Sequence, residues 1–177
     1  MGAAGNRQVL HRGAKWDLEM VEYRGRGGRV IRREVVRHPG AVVVLPLTDD
    51  GRVVFIKNER VSVGKALYEL PAGTLEPPES PEECARRELQ EEAGYLAATW
   101  VGLGRFYTSP GLSDELMWAF AATGLEEVGQ KLEEDERLTV HPVGVGEALE
   151  MMDRRELVDA KSMLTILLAV RRGLLSV

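Results

Sequence analysis

A single cysteine, Cys84, stands in a chain of 177 residues, so no internal disulfide can form and the fold must be held by its core. No apolar run approaches the ~20 residues needed to cross a bilayer. The longest such stretch, near Met163 to Val170, is broken by Thr165 and reads as a buried helix. Met1 to Arg12 lacks the apolar segment of a signal peptide, so the expected location is the cytoplasm, with no membrane partner. Positive charge is not in surplus either. The formal net charge of -5 argues against a broad electrostatic grip on nucleic acid. It leaves a phosphate substrate open, because a bound metal ion can carry the compensating charge. There are no internal repeats, and His11, His38 and His141 are scattered without metal-ligand spacing.

The hydrophobic fraction of 44% is ordinary for a globular chain of this length. Residues 1–40 are rich in Arg and Gly, a composition that also occurs in flexible tails. The interleaved Trp16, Leu18, Met20, Val21 and Tyr23 favour two or three antiparallel strands instead, joined near Gly25 to Gly28. Ala41 to Leu45 is a continuous apolar run and predicts a buried strand. Asp49-Asp50-Gly51 predicts a hairpin turn with Arg52 to Lys57 as the partner strand. Leu67 to Leu70 is short and extended, stopped by Pro71. A helix is expected over about Pro81 to Ala93, strands over Trp100–Tyr107, Glu115–Ala121 and Leu138–Val143, and helices near Val145–Arg154 and Lys161–Arg172. The order predicts an α+β, mixed α/β sandwich, with residues 1–40 as N-terminal strands and 41–177 as the main domain.

The helix after Ser80 carries the strongest signal. Ser80 suits the N-cap, Pro81 the first helical position, and Glu83 completes a capping box, while Gly94 supplies a left-handed stop. Ala85, Leu89 and Ala93 form the stripe expected to be buried. On another face Glu88, Glu91 and Glu92 are neighbours, and like charges at that spacing cost a helix about 0.2–0.5 kcal/mol per pair. Glu82 can reach Arg86, Glu83 can reach Arg87, and Arg87 can reach Glu91. Glu88 and Glu92, however, have no cation at their helical neighbour positions, so neither is expected to have one along the helix. A solvated acidic face is one reading; a hard divalent cation bound by carboxylate oxygens is the other.

Residues Gly73 to Tyr95 resemble the Nudix box, G-x5-E-x7-R-E-U-x-E-E-x-G-U, where U is a bulky aliphatic residue. Gly73, Glu79, Arg87, Glu88, Leu89, Glu91, Glu92 and Gly94 all match, and Tyr95 departs at the last U. The resemblance implies a Nudix-type α/β/α sandwich with a mixed sheet and a small additional N-terminal antiparallel sheet. It implies Glu88 and Glu92 as Mg2+ ligands, Glu91 as a ligand directly or through water, and the carbonyl of Ala72 as a further ligand. Mn2+ or Zn2+ would be substitutes. Gly73 would permit a tight turn, Arg87 would orient Glu91, and Glu79 would fix the loop.

Outside the box, Tyr68-Glu69-Leu70-Pro71-Ala72-Gly73 and Ser109-Pro110-Gly111-Leu112-Ser113-Asp114-Glu115 resemble segments of the ADP-ribose pyrophosphatase branch. That likeness implies hydrolysis of a nucleoside-diphosphate sugar, foremost ADP-ribose to AMP and ribose 5-phosphate. Arg60, Ser109 and Gly111 would contact substrate, with Lys57 a weaker candidate. The acidic loop at 132–136 would deliver a catalytic glutamate, Glu134 or Glu136, with Glu133 behind them; Glu91 is also a catalytic candidate. The N-terminal strands would join two copies in a homodimer, with Trp16 or Tyr23 at the interface or stacked on a base. Two alternatives remain: a nucleotide-sugar diphosphatase of other specificity, such as one cutting GDP-mannose, and a non-catalytic module that senses ADP-ribose.

Overall fold

The computed structural model describes residues 5–132, 134 and 136–175. The chain divides into two compact units, one of residues 1–40 with 106–117 and the other of residues 41–105 with 118–177. The first unit is built on three antiparallel strands in the order β1 (Arg7–Arg12), β2 (Asp17–Arg24) and β3 (Val30–Arg37). The turn between β2 and β3 falls on the Gly-rich stretch, with Gly27 and Gly28 at φ 84° and 78°. Val9, Leu10, Trp16 and Val30 stay exposed on this sheet.

The second unit is a sandwich. One sheet has the order β7-β4-β9-β8, with β4 at Ala41–Pro46, β7 at Ala72–Thr74, β8 at Tyr95–Tyr107 and β9 at Leu116–Glu127. The other has the order β10-β5-β6, with β5 at Arg52–Arg60, β6 at Lys65–Glu69 and β10 at Leu138–Gly144, all antiparallel. Three helices follow the expected places: α1 (Pro81–Glu88), α2 (Val145–Asp153) and α3 (Ala160–Arg171). The mixed sheet and antiparallel sheets are those expected from the sequence. Among the described residues no helix is long and apolar enough to cross a membrane.

Every residue of β4 is buried because both its faces are covered. Val42 and Val44 join Val54, Ile56, Ala85, Leu89 and Ala93 in one core cluster, while α3, with Ile166 and Ala169 buried, packs against the same strand. Burial of each large aliphatic side chain here contributes about 1.5–3 kcal/mol. This explains why β4 reads as a continuous apolar run and not as an alternation.

The Asp49-Asp50-Gly51 turn forms, with the Gly51 N–H bonded to the Thr48 carbonyl and Gly51 at φ 78°. The expected hairpin ladder does not: just past β4, Leu47 bridges Val53 and the Thr48 N–H donates to the Arg52 carbonyl, and β4 and β5 belong to different sheets. Val53, Val54, Phe55 and Ile56 are buried as fully as β4. The turn therefore carries the chain from one layer of the core to the other, which gives both strands more burial than pairing side by side.

Candidate active site

The box helix begins as its sequence dictates. The Glu83 N–H donates to Ser80 Oγ at 3.3 Å and the Ser80 N–H donates to Glu83 Oε2 at 2.7 Å, closing the capping box. Glu83 is thereby engaged with the cap rather than with Arg87, while Arg86 pairs with Glu82 at 2.8 Å as expected. Cys84, Ala85, Leu89 and Ala93 are buried. The expected α-helix to Ala93 is corrected in its last turn: α1 ends at Glu88 and Leu89–Ala93 is a π-helical turn, a widening frequent at functional sites. Gly94 closes it at φ 76°.

Arg87 is the hub. Its guanidinium donates to Glu79 through Nη2 at 2.8 Å and Nε at 3.2 Å, to Glu91 through Nη1 at 3.0 Å, and to the Thr74 carbonyl at 3.1 Å. Glu79 also accepts from the Glu76 N–H at 2.7 Å, and the Arg87 contact holds its carboxyl down at about 2. Arg87 Nη1 also reaches Glu88 at 2.7 Å. The expectation that Glu88 has no cation on its own helix is therefore wrong: helical neighbour counting omits the adjacent residue, and a long arginine side chain spans it.

Glu88 and Glu92 are 7% and 4% exposed. Burial pushes Glu88 up to about 7 against the pull of Arg87, and Glu91 and Glu136 push in the same direction. Burial likewise raises Glu92 to about 8, reinforced by Glu88 and Glu136 and opposed by a hydrogen bond from the Ala72 N–H at 2.7 Å. A Cβ built on Gly73 would lie 1.7 Å from Glu88 Oε1, so any larger residue there would push the Glu88 carboxylate out of its place. This places Ala72 and Gly73 against the two buried carboxylates.

The acidic loop begins beside this turn. The Val128 and Gly129 N–H groups donate to the Gly94 carbonyl, the Lys131 N–H to the Glu91 carbonyl at 3.0 Å, and Gln130 Nε2 to the Glu92 carbonyl at 2.6 Å. Glu136 acts on Glu88 and Glu92 through its charge. Glu134 lines a cavity of about 610 Å³ with Arg60, Lys65 and Arg137. Glu133 lies outside the described residues.

Arg60 is engaged in a two-pronged contact with Glu69, through Nε at 2.8 Å and Nη2 at 2.6 Å. Sequence reasoning included Glu69 in the segment that resembles the ADP-ribose pyrophosphatase branch but gave it no role of its own. Lys57 sits over the Tyr68 ring at 5.2 Å. Ser109 and Gly111 belong to the first unit, where the Ser109 carbonyl accepts from Leu112 and Ser113 and the Leu112 carbonyl accepts from Val36 of β3. Asp114 anchors the same turn to Arg37 at 2.6 Å and to the His38 N–H at 3.0 Å.

The donor chemistry suits a hard divalent cation: carboxylate oxygens predominate, two of them are buried with excess negative charge, and a glycine makes room beside them. Among the described residues no three Asp, Glu, His or Cys side chains are arranged to grip one ion as they stand. Arg87 and the Ala72 N–H hold Glu88 and Glu92 instead, so seating a cation requires these carboxylates to exchange partners.

The comparisons agree with the box. The NUDIX domain family matches residues 36–165. The chain is 39% identical to an ADP-ribose pyrophosphatase of Bacillus subtilis over 88% of its own length and 85% of that protein's. It is 37% identical to a methanol dehydrogenase activator of Bacillus methanolicus over 78% of this chain and 76% of that one. A solved ADP compounds hydrolase shares the fold with a TM-score of 0.81 at 23% identity, over 98% of this chain and 94% of that chain. A complete box on a capped helix, in a matching sandwich and with such relatives, means that this chain belongs to the NUDIX domain family, as a hydrolase similar to ADP-ribose pyrophosphatases.

Proposed function

We propose that the protein hydrolyses the diphosphate of ADP-ribose, giving AMP and ribose 5-phosphate, with Mg2+ held by Glu88, Glu91, Glu92 and the carbonyl of Ala72. The observation that carries this reading is the unbalanced charge of two buried carboxylates, Glu88 and Glu92, each raised well above the usual range. When bound, Mg2+ supplies neutralisation of the phosphate oxygens and a more acidic water.

The chain's own residues do the rest. Arg87 keeps Glu91 on the ligand face, and Glu79 holds Arg87 in turn. Glu136, whose charge is felt at both buried glutamates, removes the proton of the attacking water; Glu134 is the second candidate for this role. Arg60 binds phosphate oxygens with a guanidinium edge, and Ser109 and Gly111 contact the substrate. The exposed Val9, Leu10, Trp16 and Val30 of the N-terminal sheet support a homodimer joined there. The ADP-ribose choice is supported by the Bacillus subtilis relative.

The test is turnover of ADP-ribose against GDP-mannose, ADP-glucose and diadenosine polyphosphates with Mg2+, followed by hydrolysis in ¹⁸O water and mass analysis of both products. The expected result is the highest kcat/KM for ADP-ribose and label in one product only. ADP-ribose ranking among the poorest substrates would sink the substrate assignment, and binding without turnover would leave the sensing module as the correct reading.

A further inference from the structure

Glu69 is 1% exposed, at the end of β6 and directly before the Leu70-Pro71-Ala72-Gly73 segment that reaches the buried glutamates. Besides the two bonds from Arg60, it accepts from Lys161 Nζ at 2.5 Å. Lys161 also pairs with Asp159 at 2.9 Å. Asp159 caps α3 through the Ser162 N–H at 3.1 Å, and Ser162 Oγ accepts from the Leu70 N–H at 2.7 Å. The end of β6 is thus locked to the start of α3 by a charged cluster. Burial alone would raise the Glu69 carboxyl, yet the two cations hold it below the ordinary carboxylate range.

The cluster consumes only part of Arg60. Its Nε and Nη2 atoms face Glu69, while Nη1 has no hydrogen-bond partner among the described residues. The Arg60 side chain is 39% exposed and lines the 610 Å³ cavity with Lys65 and Arg137 and with the carboxylates Glu59 and Glu134. A guanidinium fixed along one edge cannot rotate about its own axis, so its other edge is presented in one orientation.

We infer that Glu69 is a positioning residue: backed by Lys161, it fixes the Arg60 fork so that the Nη1 edge meets a phosphate oxygen of the substrate at this cavity. The inference rests on the phosphate-binding role proposed for Arg60. A purely structural ion cluster would also bury Glu69, but it has no need of an arginine with a free edge at a cavity.

The experiment is calorimetric binding of ADP-ribose in EDTA, where no turnover occurs, to the wild-type protein, Arg60→Ala, Glu69→Asp and the double variant, with thermal unfolding as the check on folding. Glu69→Gln would strand two cations, so Glu69→Asp is the informative change. It keeps the charge and shortens the reach by one methylene, which breaks the two-pronged contact. Arg60→Ala and Glu69→Asp are each expected to weaken binding by about tenfold, and the double variant no more than Arg60→Ala alone. In turnover assays Glu69→Asp should raise KM with kcat little changed.

A folded Glu69→Asp protein with wild-type affinity, or losses that add in the double variant, overturns the inference while leaving the Arg60 role intact. Wild-type affinity in Arg60→Ala overturns both. Absence of ADP-ribose binding by the wild-type protein in EDTA overturns this inference, while the substrate reading stands or falls with turnover in Mg2+.

Discussion

The second unit buries glutamates in two places and treats them in opposite ways. Glu69 is surrounded by two cations and held below its ordinary range. Glu88 has one arginine, Arg87, in reach, Glu92 accepts from the Ala72 N–H and feels Glu88, both feel Glu136, and both are held far above theirs. Burial is similar at all three, so the difference lies in the balance of neighbouring charge. A matched cluster fixes geometry; an unmatched one stores an attraction for a cation. The following changes would break or sharpen that contrast, beginning with the largest effect.

Replacing Glu88 or Glu92 by Gln removes a proposed metal ligand at nearly constant shape. A loss of several kcal/mol of transition-state stabilisation corresponds to about a hundredfold to a thousandfold in kcat. The metal-free variants should be folded and no less stable than wild type, because a repelled buried charge has gone. Steady-state kinetics with thermal unfolding in EDTA checks both halves, and retained turnover would refute the metal assignment.

Arg87→Ala removes the hub that joins Glu79, Glu88 and Glu91. An orienting partner of this kind is worth about 10–100-fold in activity. Unlike the glutamine variants it should also lower stability, since Glu79 loses its main partner. Activity within a factor of two of wild type would show that the glutamates need no orienting cation.

The pH dependence of the metal-free protein has a definite sign. Glu88 and Glu92 titrate near 7 and 8 when folded and near 4.5 when unfolded. Between about pH 5 and 8 the native state therefore binds more protons than the unfolded one, and stability falls as pH rises through this window. The melting temperature in EDTA should decline from pH 5 to pH 8 by more than it does in a Glu88→Gln, Glu92→Gln double variant. Mg2+ should raise it more at pH 8 than at pH 5. Identical slopes in the two proteins would contradict the unbalanced-charge account.

The smallest effect belongs to Glu79, whose folded value near 2 lies below the unfolded 4.5. Its contribution is present above pH 4.5 and lost as pH falls toward 2. In acid unfolding, Glu79→Gln should lose less stability across that range than wild type.

The box was legible because its information is local: a cap, a stripe of small and aliphatic residues, and acids at helical spacing lie within one element. What escaped was non-local. Nothing near Asp49 tells that the two strands it joins belong to different layers. The strand expected over Trp100–Tyr107 starts earlier, at Tyr95, because the weakly strand-forming Leu96-Ala97-Ala98 segment is included in the sheet. The partner of Arg60 lies nine residues on, across the β5–β6 hairpin, and its second cation on α3. The Arg87 contact with Glu88 was missed for a different reason, since helix neighbour rules describe Cβ positions and not the reach of a long side chain.

The anchoring of residues 128–131 to the π-helical turn carries a consequence for distance. Lys131 is pinned at one end, and Leu138, paired with Asn58 in β10, is pinned at the other. Seven residue steps separate the two anchors, a span of at most about 25 Å. Glu136 stands two residues before that fixed strand start, so its backbone cannot stray more than about 7 Å from Leu138.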